Sequence, residues 1–211
     1  LILSSIVFIF FLYSKIDYKN KNISEFINLK KCSDLKYDDH KLNSINNFGS
    51  FKIKIKILNE RRWKEILITN EVLNYENKSY TYDPGYINAE LILENNFGLK
   101  CILDAKIKPH GDLSDHFVNF KQGANIIYDL PSLKVKLIDG NINGIVEFRL
   151  FKPKTRNYIN EVFATTFLEF INLYAPRTAK IEVEYNNNLS EFIFQEKINK
   201  EFLESNQLIE G

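Results

Sequence analysis

Ser132-Leu-Lys-Val-Lys-Leu137, Gly144-Ile-Val-Glu-Phe-Arg-Leu-Phe151, Lys152-Pro-Lys-Thr-Arg-Asn-Tyr158 and the run from Ala179 to Gln195 decide how this chain is read. The first two are short strands. Residues two apart on a strand share a face, so Ser132, Lys134 and Lys136 project from one side. Leu133, Val135 and Leu137 take the other. A lysine on an open sheet face can meet phosphate as a point charge. The same pattern also fits a solvated strand face.

The third segment opens a helix. Ile159, Val162, Phe163, Thr166, Phe167, Phe170 and Ile171 recur at helical spacing, which predicts one buried apolar stripe. Thr155 is the expected N-cap, and Pro176 limits the far end. Glu161 falls nearly opposite the stripe, on the side expected to face solvent. Arg156 and Asn157 stand at the start, where backbone N–H groups and the helix dipole favour anions. A cap with a surface ion pair fits them equally. A hairpin follows. Ile181, Val183 and Tyr185 alternate with Lys180, Glu182 and Glu184, Asn186-Asn-Asn188 turns the chain, and Phe192 and Phe194 return. Gln195-Glu-Lys197 then leaves the strand toward another helix.

Upstream, Phe51, Ile53, Ile55 and Ile57 alternate with Lys52, Lys54 and Lys56, a half-buried strand with the same lysine spacing as Ser132–Leu137. Tyr86 to Glu94 and Leu99 to Lys108 form an expected antiparallel pair around Asn95-Asn-Phe-Gly98. Arg61 to Ile68 fits either a helical turn or a strand. Leu1 to Tyr13 carries no charge and is followed by Lys15, Asp17, Lys19 and Lys21 rather than a small-residue cleavage site. A signal-anchor is the first expectation for it, a cleaved signal the second and a buried helix the third. The chain thus divides into a hydrophobic signal-anchor or signal remnant (1–16), a polar linker (17–49) and a β-rich region leading into the mixed segment (50–211).

With 211 residues, 45% of them hydrophobic and 14% aromatic, the chain can bury a sizeable core. A formal net charge of +1 leaves no bulk field to recruit nucleic acid, which is not expected as a partner. Cys32 and Cys101 can make one disulfide or stay as thiols, but cannot make a Cys-based zinc site. His40, His110 and His116 lack metal-binding helical spacing. Lys108-Pro-His-Gly-Asp-Leu-Ser-Asp-His116 fits a surface turn around Gly111, with a metal site as its alternative. No metal ligand and no catalytic residue is assigned.

In their order, Gly111-Asp-Leu-Ser-Asp-His116, Ser132–Leu137, Lys152–Tyr158, Arg177-Thr178 and Phe194-Gln-Glu-Lys-Ile-Asn-Lys-Glu-Phe-Leu203 resemble the CotH family of kinase-like proteins, over roughly Lys106 to Gly211. The resemblance implies an α+β fold: a mostly antiparallel sheet with one packed amphipathic helix, similar to the N-lobe of an atypical protein kinase. It implies ATP and Mg2+ as cofactors and a protein as phosphate acceptor. Lys134, Lys136, Arg156, Asn157 and Glu196 would be the cofactor-binding residues. The family's acidic metal ligands would follow Gly211, so the chain is expected to be an incomplete kinase, and no His-Arg-Asp or Asp-Phe-Gly segment is present. Its hairpin turn has Asn187-Asn188 where the family often has Asn-Gly. The alternative expectation is a non-catalytic, membrane-tethered binding module of the cell envelope or coat. Either way the N-terminal segment would give a membrane-anchored or exported protein, of open orientation.

Overall fold

Every second residue of β1 (Phe51–Ile57) is buried, with Lys52, Lys54 and Lys56 between them only partly covered, the period of a strand with one wet face. A computed structural model describes residues 31–32, 51–75, 83–95, 100–111, 119–122 and 125–209. After β1 come α1 (Glu60–Tyr75), β2 (Ile87–Asn95), β3 (Lys100–Pro109), β4 (Asn119–Gln122), β5 (Asn125–Tyr128), β6 (Leu133–Leu137) and β7 (Glu147–Phe151). A 3-10 turn (Pro153–Arg156), α2 (Asn160–Phe170), β8 (Thr178–Tyr185), β9 (Asn188–Glu196) and α3 (Lys200–Ser205) complete the described elements.

Seven strands close into a barrel in the order β1-β2-β3-β6-β7-β9-β8, and β4 and β5 form a separate two-stranded ladder. All neighbours in the barrel are antiparallel except β8 and β1, whose parallel pairing makes the closure. Residues 87–94 and 100–107 pair in antiparallel register as their alternation predicts, and residues 96–99 of the expected turn lie outside the described residues. Asn186 and Asn187, with φ of 49° and 63°, form the two-residue turn of the β8–β9 hairpin, a left-handed geometry that asparagine tolerates. Arg61 to Ile68 is helix, part of α1.

Inward-facing side chains fill the barrel. Ile53, Leu91, Leu103, Ile107, Leu133 and Leu150 are fully buried, and Phe194 packs between Phe148, stacked at 4.5 Å, and Phe51, edge-on at 5.5 Å. Trp63, Ile66 and Leu67 of α1 join the same core. A disulfide joins Cys32 to Cys101 on β3, across a sequence separation of 69. Of the two states the sequence allowed for this pair, the bridge is the one formed. Beside it, Lys31 bonds to Asp104 and lies 3.3 Å from Asp139.

The closed barrel corrects the expected fold class. The apolar side of the sheet is the barrel interior, filled by the strands and α1, so no open apolar face is left for α2 and the kinase N-lobe plan does not describe this chain. The cause is β1, which bridges β2 and β8 and so closes the sheet around a core that the strands and α1 fill together.

The packing of α2 is corrected with it. Lying on the outer, polar side of the barrel, α2 turns Thr165 inward as its one buried residue. Glu161 faces the sheet and accepts from Gln195 Nε2 at 2.6 Å. The apolar stripe points out: Phe163 is 69% exposed, Phe167 51% and Phe170 81%. Thr155 is not the N-cap of this helix; it lies in the 3-10 turn, and its hydroxyl donates to Lys152 O.

The Leu1–Tyr13 run and most of the linker lie outside the described residues. None of the described helices is long and apolar enough to cross a membrane.

Candidate anion-binding face

The outer face of β3, β6 and β7 holds cations in direct register. Lys108 stands opposite Lys134, and Lys134 opposite Arg149. One row along, Lys106 stands opposite Lys136, and Lys136 opposite Glu147. Neighbouring strands lie about 4.8 Å apart and alternate residues about 7 Å apart. Five cationic side chains therefore root within a patch of about 10 by 7 Å. Like charges directly opposite each other are destabilising, by about 1 kcal/mol per pair at 5 Å in a watery dielectric.

The other side of the same barrel is arranged differently. Lys52 lies opposite Glu94 and Glu182, Lys54 opposite Glu184, and Lys56 opposite Glu90. Glu184 accepts from Lys52 at 2.8 Å and Lys54 at 3.2 Å. Burial alone would raise its carboxyl pKa, but these lysines outweigh that and hold it below the usual range. Two sequence segments with identical lysine alternation thus meet different cross-strand neighbours, mainly glutamates for Lys52, Lys54 and Lys56 and mainly cations for Lys134 and Lys136.

Two carboxylates among the described residues contact the cationic group. Asp83 takes Lys108 Nζ at 2.9 and 3.0 Å. Its pKa is lowered by that bond, by the Gly85 N–H and by the charges of Lys108 and Lys134. Glu147 lies 3.1 Å from Lys136 and accepts from Lys197. Burial pushes its carboxyl up, but hydrogen bonds from Lys197 and Lys136 prevail and lower it. The Glu147 carboxylate in turn raises the Lys136 pKa. Lys106 and Arg149 have no carboxylate within ion-pair distance among the described residues.

At the patch border, Phe151 continues the outward row of β7 and is completely buried. The Arg156 guanidinium lies 4.1 Å above its ring and His110 lies 5.3 Å away, a cation–π contact that fixes Arg156 beside the patch. Arg156 Nε is 3.6 Å from Glu161 Oε2. Asn157 adopts the left-handed conformation and its N–H donates to Pro153 O, so it ends the 3-10 turn rather than starting a helix.

The five residues suggested by resemblance therefore separate. Lys134 and Lys136 share the cationic face, Arg156 borders it, and Asn157 caps a turn. Glu196 sits apart, turned toward the barrel interior with its side chain 3% exposed. It accepts from Arg177 Nη2 at 2.7 Å, Arg177 Nε at 2.9 Å and the Arg177 backbone N–H at 3.2 Å. Arg177 Nη1 donates to Asn143 O at 2.5 Å. This pair ties the ends of β8 and β9 to the turn before β7 and walls a cleft of about 470 Å³ with Tyr174, Asn172, Phe202 and Asn206. The opposite barrel end has a counterpart: Lys152 bonds to Asp129 and lies 5.1 Å from the Phe192 ring.

Sequence reasoning missed Lys106, Lys108 and Arg149. Their alternation was visible, but only register reveals that they face Lys134 and Lys136. Residues 112–116 of the Lys108–His116 cluster lie outside the described residues, and among the described residues no three His, Cys, Asp or Glu side chains form a metal-binding group. No protein-family model matches the chain, and no curated protein matches it.

Proposed function

We propose that this chain is a binding module that holds a phosphate-bearing anionic ligand on the β3–β6–β7 face of its barrel. The supporting observation is the in-register row Lys108–Lys134–Arg149, flanked by Lys106 and Lys136. Lys106 and Arg149, which have no carboxylate within ion-pair distance among the described residues, stand beside these lysines where an anionic ligand would offset the like-charge register. Lysine ammonium groups and an arginine fork are the donors that phosphate oxygens require. Arg156 extends the same field at the border. The Cys32–Cys101 bridge supports placement in an oxidising compartment, as for an exported or envelope protein.

The test is calorimetric titration of the full chain with inorganic tripolyphosphate. Saturable binding, weakened about a hundredfold or more by Arg149→Gln with Lys106→Gln, is expected, since each charge-assisted bond contributes about 1.5–3 kcal/mol. Affinity unchanged in that variant would refute the assignment. The phosphotransfer implied by the CotH resemblance shares the first step, ATP phosphates held over Lys134 and Lys136. MgATP with a protein acceptor is therefore the second titrant, and release of ADP with a phosphorylated protein would replace the binding-module proposal by a kinase.

A further inference from the structure

We infer that Asp83 is an internal competitor of the ligand: it occupies the Lys108 end of the cationic row, so the length of a phosphate chain decides whether it must be displaced. This rests on the anion-binding proposal above and adds to it a residue that sets specificity. Both carboxylate oxygens of Asp83 accept from Lys108 Nζ, at 2.9 and 3.0 Å, as phosphate oxygens would. Nζ also lies 4.9 Å from the centre of the Tyr86 ring, a cation–π contact. Held between the two, the Lys108 side chain is only 15% exposed although it stands on the outer face, whereas that of Asp83 is 69% exposed.

The hold on Asp83 is local and loose. It lies ahead of β2, and its Oδ1 also accepts the Gly85 N–H at 3.0 Å. An ion pair with so exposed a carboxylate is weak in water, so a phosphate oxygen can take its place. Glu147, which also contacts the cationic group, differs in this respect. Its side chain is 17% exposed, and it holds Lys136 and Lys197 together. Of these two carboxylates, Asp83 is the one a ligand can displace.

Distance makes the effect selective. Lys108, Lys134 and Arg149 stand in register on adjacent strands, so about 4.8 Å separates neighbours and about 10 Å the two ends. Pyrophosphate bridges one step of the row, over Lys134 and Arg149, and leaves Asp83 in place. Tripolyphosphate extends to Lys108 and meets the carboxylate. The screening length at physiological salt is about 8 Å, so the repulsion Asp83 exerts on the shorter ligand is damped.

The test is calorimetric titration of the full chain and its Asp83→Asn variant with pyrophosphate and with tripolyphosphate, at about 0.15 M salt. Asparagine keeps an oxygen for the Gly85 N–H, so the turn is retained. Both ligands should bind the parent. The variant should bind tripolyphosphate about fivefold more tightly, the upper range for losing an exposed ion pair, and pyrophosphate with a change below about twofold. A tripolyphosphate gain below about twofold, or an equal gain for both ligands, overturns the inference and leaves the anion-binding face standing. Pyrophosphate failing to bind a parent that binds tripolyphosphate overturns it as well. Absence of binding by parent and variant alike overturns both the inference and the face.

Discussion

Replacing Arg177 by methionine should cost about 3–5 kcal/mol, the range for leaving one member of a buried ion pair alone. The magnitude follows from the donors removed. Glu196, with a side chain only 3% exposed, loses Nε and Nη2 and keeps the backbone N–H at 3.2 Å. Charge-assisted bonds contribute about 1.5–3 kcal/mol each, so the three that the guanidinium makes, two to Glu196 and one to Asn143 O, reach that range at their lower end. Pairing Arg177→Met with Glu196→Leu should recover most of the loss and leave the double variant within about 2 kcal/mol of the parent, because the buried charge is gone. Urea unfolding of the four proteins, with slopes compared so that only midpoints are interpreted, gives the cycle. Tripolyphosphate affinity should be unchanged, since the pair closes a barrel end away from the cationic face. A single variant losing less than about 1 kcal/mol, or a double variant losing as much as the single, would refute the view of Glu196 as a structural closure.

Cys32→Ser should lower stability by about 4 kcal/mol, from the loop-closure entropy of a span this long, and a thiol reductant should do the same to the parent; urea unfolding showing a loss below about 1 kcal/mol would contradict that estimate. Stability should also fall toward acid. The Glu147, Glu184 and Asp83 carboxyls are held low in the folded state, so the unfolded chain binds more protons as pH drops below their ordinary values of 4.5 and 3.8. Their contribution is complete above those values and is lost as pH falls through the depressed ones. Toward alkali the sign reverses. Burial pushes the Tyr185 phenol from 10.0 up to about 12, so its contribution is present below pH 10 and is lost as pH rises from 10 to 12. A melting-temperature profile that is flat across either window would contradict these assignments.

Local periodicity carried most of the secondary structure and little of the assembly. The alternation in Phe51–Ile57 and a turn within Asn186–Asn188 were legible because strand period and left-handed turn chemistry are properties of neighbours in sequence, while Asn188 proved to be the first residue of β9. Barrel closure was not, since alternation states which face is apolar but not which edges meet. The α2 stripe shows the limit clearly. Its spacing predicted a helix correctly, yet the side that packs depended on whether the sheet had an apolar surface to offer, and side chains of the strands and α1 had already filled the interior. Glu161 was placed outward for the same reason. At the candidate site, Lys134 and Lys136 were visible as a pair, but Lys52, Lys54 and Lys56 looked identical. What separates them is the set of cross-strand partners, mainly glutamates in one case and Lys106, Lys108 and Arg149 beside the single glutamate Glu147 in the other, and such long-range pairing is absent from any local window.

The most direct measurement is to map amide shifts in a heteronuclear NMR titration of the chain with tripolyphosphate. The barrel geometry predicts saturable shifts at Lys106, Lys108, Lys134, Lys136 and Arg149, with Lys52, Lys54 and Lys56 unmoved because glutamates already neutralise them. Shifts spread evenly over both lysine faces, or no saturation at either, would contradict an anion-binding site built by strand register.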